Sequence, residues 1–260
     1  MYAEERRRQI ASLTAVEGRV NVTELSERFD VTAETIRRDL AVLDREGVVH
    51  RVHGGAVASQ SFQTAEFTLD TRQRSATGAK MAIARAALEQ LPDGGSIFLD
   101  AGTTTNALAD LIGQGYSAGQ FSIVSNSLPI ALSLASNGVS DVQLLGGTVR
   151  AITQAVVGDT ALRTMALMRA DVAFIGTNAL TIDHGLSTAD SQEAAIKSAF
   201  VTNAHRVVVL CDSSKLGNDY LVSFASLDEI DVVITDAAAP DSYVEALREH
   251  GIEVIVAADK

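Results

Sequence analysis

The chain is short of several residue types, and each shortage excludes something. One cysteine, Cys211, stands among 260 residues, so no disulfide closes within the chain. His184 and His205 have no metal-ligand spacing, and neither a metal nor a catalytic cofactor is expected. No run approaches the roughly 20 apolar residues that span a bilayer. The opening Met1-Tyr2-Ala3-Glu4-Glu5-Arg6-Arg7-Arg8 has no apolar segment behind it to act as a secretory leader. A cytoplasmic protein with no membrane partner is therefore expected. Internal repeats and low-complexity tracts are also missing.

Positive charge is scarce too. The net charge is −12, and it is unevenly spread: residues 1–57 sum to −1 and residues 58–260 to −11. The second part repels a polyanion. Any nucleic-acid contact must come from local arginine clusters in the first part. What the chain has in quantity is apolar material, 47% of residues, enough for well-buried cores. The length fits a small domain followed by a medium one.

Three helices and a hairpin are predicted over residues 1–57. The first covers 3–16, with Ile10 and Leu13 inward and Gly18 at its end. The second covers 23–29 and starts near Asn21 and Glu24, three apart as in a capping box. Thr32 is a natural N-cap for the third, which runs to Glu46 and stops at Gly47. Residues 48–52 and 56–58 flank His53-Gly54-Gly55 as a hairpin. Residues 58–75 lose this pattern and read as a linker. From 76 to 260, short β-branched strands alternate with helices, the pattern of a parallel sheet covered on both faces. The fold class is thus an N-terminal winged helix-turn-helix domain plus a C-terminal α/β domain.

Two helices joined by a tight turn, the second with exposed cations, describe a DNA-reading motif. At about 100° per residue, Leu40 and Leu43 fall on the side of Ile36 while Arg38 points away, flanked by Thr35 and Arg37. A guanidinium fork grips a guanine edge or a phosphate through two hydrogen bonds. Arg51 and His53 on the wing reach the neighbouring backbone, and Gly54-Gly55 lets the tip come close. Either arginine alone is equally well explained as a solvated helix face. Arg6, Arg7 and Arg8 are expected to pair in part with Glu4 and Glu5, and Asp39 is read as structural.

In the second domain, polar loops follow apolar strands, where ligands bind in open α/β sheets. Asp100-Ala101-Gly102-Thr103-Thr104-Thr105 lies between a strand and a helix. Gly102 permits a tight turn, the helix start attracts an anion, and three hydroxyls add donors. The alternative is a plain N-cap. Ser125-Asn126-Ser127, Gly146-Gly147-Thr148-Val149-Arg150, Gly176-Thr177-Asn178 and Asp212-Ser213-Ser214-Lys215 end other strands. Arg150 and Lys215 are candidates to neutralise a phosphate, and Asp100, Asn126 and Asn178 to bind hydroxyls; each also suits a turn. Glu193 and Lys197, four apart, read as a surface pair.

Thr35-Ile36-Arg37-Arg38-Asp39-Leu40, Leu43, Gly47 and Arg51-Val52-His53-Gly54-Gly55-Ala56 together resemble the signature of the DeoR family of bacterial repressors. The resemblance is closest to actinobacterial members that control sugar phosphotransferase uptake and glycolytic genes. It implies that these segments are the recognition helix and wing. It also implies a sensor domain resembling ribose-5-phosphate isomerase, with stretches at Asp100 to Thr104, Gly146 to Arg150, Gly185-Leu186-Ser187-Thr188 and Asp212 to Lys215. Ala179 stands where glycine is common, which puts the wall beside Asn178 in doubt. The implied partners are a double-stranded DNA operator, a sugar phosphate such as a fructose or glucose phosphate, and further copies in a homo-dimer or homo-tetramer. Two rivals stay open: a sugar-phosphate isomerase with Asp100, Asp212 or Glu193 as base, and an activator in place of a repressor.

Overall fold

Helices of 8 to 15 residues are marginal alone and need a shared apolar face. In the first unit that face is built by α1 (Ala3–Glu17), α2 (Val22–Phe29) and α3 (Ala33–Arg45), which bury Ile10, Val22, Leu25, Ile36, Leu40 and Leu43 together. Asn21 caps α2, its side chain accepting from the Thr23 N–H at 2.8 Å. Asp30 takes the left-handed region, φ 51°, and turns the chain toward α3. The computed structural model describes residues 3–45, 48–52, 54–58, 66, 68–115 and 120–258. The expected stop at Gly47 and the wing residue His53 lie outside them.

The wing is a three-stranded antiparallel sheet of β1 (Arg19–Asn21), β2 (Val49–Val52) and β3 (Gly55–Ala58), in the order β1-β3-β2. Gly54 has φ +82° and open space around it. Gly55 differs: a Cβ there would stand 1.9 Å from the Val20 carbonyl oxygen. Its lack of a side chain serves the packing of β3 on β1. A correction concerns Arg6. It turns inward, and its Nε donates to Asp39 Oδ2 at 2.6 Å with both side chains nearly buried. Arg8 is the one that pairs with Glu4, at 2.9 Å.

The chain divides into compact units Met1–Gln63 and Thr64–Lys260. In the second, α4 (Leu69–Arg74) and α5 (Thr77–Leu88) precede the strands β4 (Gly95–Leu99), β5 (Phe121–Ser125) and β6 (Val142–Leu144), with α6 (Thr103–Gly115) and α7 (Leu128–Ser136) between them. The hairpin β7 (Thr148–Val149) and β8 (Val156–Val157) follows, then α8 (Asp159–Met165), β9 (Ala170–Gly176), β10 (Ala179–Thr181), β11 (Gly185–Thr188), α9 (Ser191–Thr202), β12 (Ala204–Leu210) and β13 (Val222–Ala225). The last elements are β14 (Val232–Asp236), α10 (Asp241–Glu249) and β15 (Glu253–Ala257). Seven strands make one parallel sheet, in the order β15-β14-β12-β9-β4-β5-β6. Alternate residues serve opposite faces. Ile97, Leu99, Val172, Phe174, Val208 and Leu210 pack in the core with residues of α5, α6 and α7. Phe98, Ala173, Ile175, Val207 and Val209 pack in the other, with residues of α8, α9 and α10.

The stretch read as a linker is not uniform. Residues 59–65 and 67 lie outside the description, whereas 69–74 form α4, anchored by the Leu69 N–H on the Ile152 oxygen at 2.9 Å. Sequence reasoning also missed β7–β8 and the small antiparallel sheet β10-β11-β13, because two to four residues carry no readable period. Among the described residues no helix is long and apolar enough to cross a membrane.

Removing one partner of a buried ion pair strands the other charge, at a cost of about 3–5 kcal/mol. Asp39→Ala should therefore lower protection of the Ile36 and Leu40 amides in hydrogen exchange of the full chain by that amount. Unchanged protection would show that Arg6 finds solvent at no cost.

Candidate effector cavity and nucleic-acid interface

The strand order reverses beside β4. The chain runs β4, β5, β6 to one edge, returns to β9 on the other side of β4, and continues β12, β14, β15. Loops leaving two neighbouring strands in opposite senses open a crevice at their carboxyl ends. Here the β4 loop brings Gly102, Thr103 and Thr104, the β9 loop Gly176 and Thr177, and β12 leads in Leu210, Asp212 and Lys215. Arg72, Ser75 and Lys80 close the far wall of a narrow cavity of about 20 Å³.

Two charges hold the crevice together. Asp100 is fully buried, and its Oδ2 takes hydrogen bonds from the Gly176 N–H at 3.1 Å and from the Lys197 ammonium. Lys197 donates as well to the Gly176 oxygen at 2.8 Å. Burial pushes the Asp100 carboxyl above its usual range, and Lys197 opposes that shift. Thr105 is buried and turns its hydroxyl back to the Gly102 oxygen at 2.9 Å; Thr103 and Thr104 face the cavity. Among the predicted effector residues, the crevice thus gathers Gly102, Thr103, Thr104 and Lys215.

The others do not line this cavity, and most of them make contacts within the fold. Asp100 serves Lys197. Asn126 accepts from the Ala101 N–H at 2.9 Å and donates to the Val156 oxygen at 3.4 Å, tying three loops together. Arg150 is surrounded by Glu66 at 2.7 Å, Glu193 at 2.5 Å and Asp190 at 3.3 Å; the Glu66 hydrogen bond, first of all, raises its pKa. It has no charge to spare for a phosphate. Gly147 has φ +156°, and a Cβ would stand 2.5 Å from the Val157 oxygen, so it serves the β7–β8 ladder. Asn178 is half-buried and does not line the cavity. The neighbouring Ala179 needs no positive φ. Glu193 and Lys197 are no surface pair: both are buried, and they face Arg150 and Asp100 respectively.

Sequence reasoning missed Lys80 and Arg72. Lys80 is 6% exposed and donates to the backbone oxygens of Arg72 at 2.5 Å and Ser75 at 2.7 Å. A usable signal existed: Lys80 shares a buried helical stripe with Ile83, Ala84 and Ala87, an unusual place for a lysine. Arg72 had none, because it falls in the polar stretch.

On the first unit, Arg37 and Arg38 are exposed on α3 and sit 3.6 and 3.5 Å from Glu34, weak surface pairs that leave both guanidinium groups available. The Thr35 hydroxyl lies 2.9 Å from that of Thr32 at the cap. Arg51 is exposed on β2, and its backbone N–H donates to Asp44 of α3 at 3.1 Å, which fixes the wing against the helix. Arg37, Arg51, Gly54 and Gly55 line a cleft of about 490 Å³ between them.

Residues 6–62 match the DeoR-like helix-turn-helix domain and residues 75–237 the DeoR C-terminal sensor domain. The chain belongs to the DeoR family. It is a transcriptional regulator with a DNA-binding helix-turn-helix unit and an effector-sensing unit. It is 38% identical to the HTH-type transcriptional regulator GlpR of Haloferax volcanii, over 98% of each chain. It is 32% identical to the glycerol-3-phosphate regulon repressor of Escherichia coli K12, over 98% of this chain and 99% of that one. The lactose phosphotransferase system repressor of Streptococcus mutans is 33% identical, over 93% and 95%. Ribose 5-phosphate isomerase A from Neisseria gonorrhoeae aligns with 59% of this chain and 56% of its own at 17% identity and a TM-score of 0.40.

Lys80 offers a pH test. Burial lowers its pKa from 10.5 to about 8; Asp212 opposes the shift, while Lys215 and Arg72 add to it. Between pH 8 and 10.5 the unfolded chain holds the extra proton, so this group makes the second unit more stable as pH rises through that window. An anion needs the charged ammonium, so affinity for anions at the cavity should fall over the same window. NMR titration of the Lys80 side chain checks this; a midpoint near 10.5 contradicts it.

Proposed function

We propose that this protein represses genes of sugar uptake and carbohydrate metabolism by holding a double-stranded operator, and that a phosphorylated sugar releases it. One observation carries the sensing half: three cations, Arg72, Lys80 and Lys215, face one cavity beside a single carboxylate, Asp212, in a part of the chain whose net charge is −11. Such a site selects an anion. Thr103 and Thr104, together with the start of α6, supply neutral donors suited to phosphate oxygens. The proposed effector contacts are therefore Gly102, Thr103, Thr104 and Lys215, with Lys80. Arg37 and Arg38 are the proposed base and phosphate contacts, and Arg51, His53 and Gly54 the proposed wing contacts. The names of the curated relatives support repression in sugar and polyol metabolism.

The finer reading is a cytoplasmic regulator of sugar phosphotransferase and glycolytic genes, of the kind found in actinobacteria, answering a fructose or glucose phosphate. A dimer or tetramer is supported by exposed Leu128, Leu132 and Leu144 on α7 and the adjoining edge strand β6. Release requires unequal effector affinity for the DNA-bound and free arrangements. The isomerase alternative loses two of its candidate bases: Asp100 and Glu193 are committed to Lys197 and Arg150.

Gel-shift titration with a panel of sugar phosphates tests the proposal. At least one should weaken operator binding; no change with any of them would refute sensing. Loss of a bidentate arginine contact costs about 1–3 kcal/mol. Arg38→Ala should thus weaken operator binding about tenfold and spare effector binding. Lys215→Ala should do the reverse, and equal loss of both activities in either variant would contradict the assigned roles.

A further inference from the structure

One wall of the cavity comes from outside the strand-end loops. Glu66 and residues 68–75 form a strap on the second unit, fastened at three points. The Glu66 carboxylate sits on Arg150 through hydrogen bonds of 2.7 and 3.1 Å. The Leu69 N–H donates to the Ile152 oxygen at 2.9 Å. The backbone oxygens of Arg72 and Ser75 accept from the Lys80 ammonium. Apart from these polar anchors the strap is lightly held, since α4 buries no residue.

Arg72 is the odd member. It lines the cavity half-buried, and among the described residues its guanidinium makes no hydrogen bond or ion pair. Its neighbour Arg74, by contrast, pairs with Asp70 at 3.0 Å. An arginine held beside Lys80 and Lys215 without a counter-charge of its own has five donors ready for an anion. The cavity, about 20 Å³, has room for about one water. The strap is the wall held by the least burial, since Thr103, Thr104 and Asp212 are all buried.

We infer that the strap is a working wall of the effector site: Arg72 grips the anionic group together with Lys80 and Lys215, and the Glu66–Arg150 ion pair holds the strap in register for that grip. This rests on the effector reading above and deepens it. Arg150 also faces Asp190 and Glu193, so the Glu66 anchor belongs to a larger buried charge cluster that fixes the strap to the sheet unit.

The test uses the full chain, with inorganic phosphate, fructose 1-phosphate, fructose 6-phosphate and glucose 6-phosphate as calorimetric probes. Arg72→Gln should lower the affinity of whichever probe binds by tenfold or more and leave operator affinity without ligand unchanged. Glu66→Gln should lower it about threefold and speed tryptic cleavage at Arg72 and Arg74. In the wild type, a saturating probe should slow that cleavage. Wild-type affinity retained in Arg72→Gln overturns the strap and leaves sensing intact. Arg72-dependent binding of phosphate alone, with no sugar phosphate bound, keeps the strap and sinks the sugar reading. If Arg72→Gln fails to fold, as loss of operator binding would reveal, the wild-type digestion decides: cleavage unchanged by the bound probe overturns the inference.

Discussion

A carboxylate sealed from water must be neutralised or matched, and Asp100 is matched by Lys197. The match does more than satisfy one charge. Asp100 belongs to the loop after β4, Lys197 to α9, and both bond to Gly176 at the end of β9. Three elements far apart in sequence are thereby held at the point where strand order reverses. The cavity lies where this knot ties the β4 and β9 loops to α9. Thr103, Thr104 and Thr177 then take their places on its walls without contacting either charge.

Around that knot the second unit separates its charges by partner. Arg150, the arginine that looked best suited to a phosphate, is consumed by three acids. The cations left facing the cavity are Arg72, Lys80 and Lys215. Two of these lie in or against α4 and the turn that follows it. The first unit uses the same device on a smaller scale. Arg6 and Asp39 pin α1 to α3 from inside, so Arg37 and Arg38 on the opposite face stand on a helix that cannot turn freely.

Much of this was legible in the residues. The stripe of Ile36, Leu40 and Leu43 fixed the outward face of α3, and alternating β-branched runs announced a parallel sheet covered on both sides. Loops at strand ends pointed to the crevice, and Gly102, Thr103, Thr104 and Lys215 were found that way. Arg6, Asn126, Arg150 and Glu193 were read too locally. A polar residue in a loop looks the same in sequence whether it meets a ligand or a neighbouring loop. Lys80 and Arg72 escaped for the opposite reason, one hidden in an alanine-rich helix and the other in a stretch resembling a linker.

Local rules act over a few residues, so the chain by itself determined the longer helices, the strands of the parallel sheet and the motif of the reading helix. The partners of Arg6, Asp100, Arg150 and Lys80 lie 33, 97, 84 and 8 positions away. Only the tertiary packing of helices, loops and sheet could decide them. Burial sets which charges must be paired inside, and the fold brings their partners to them.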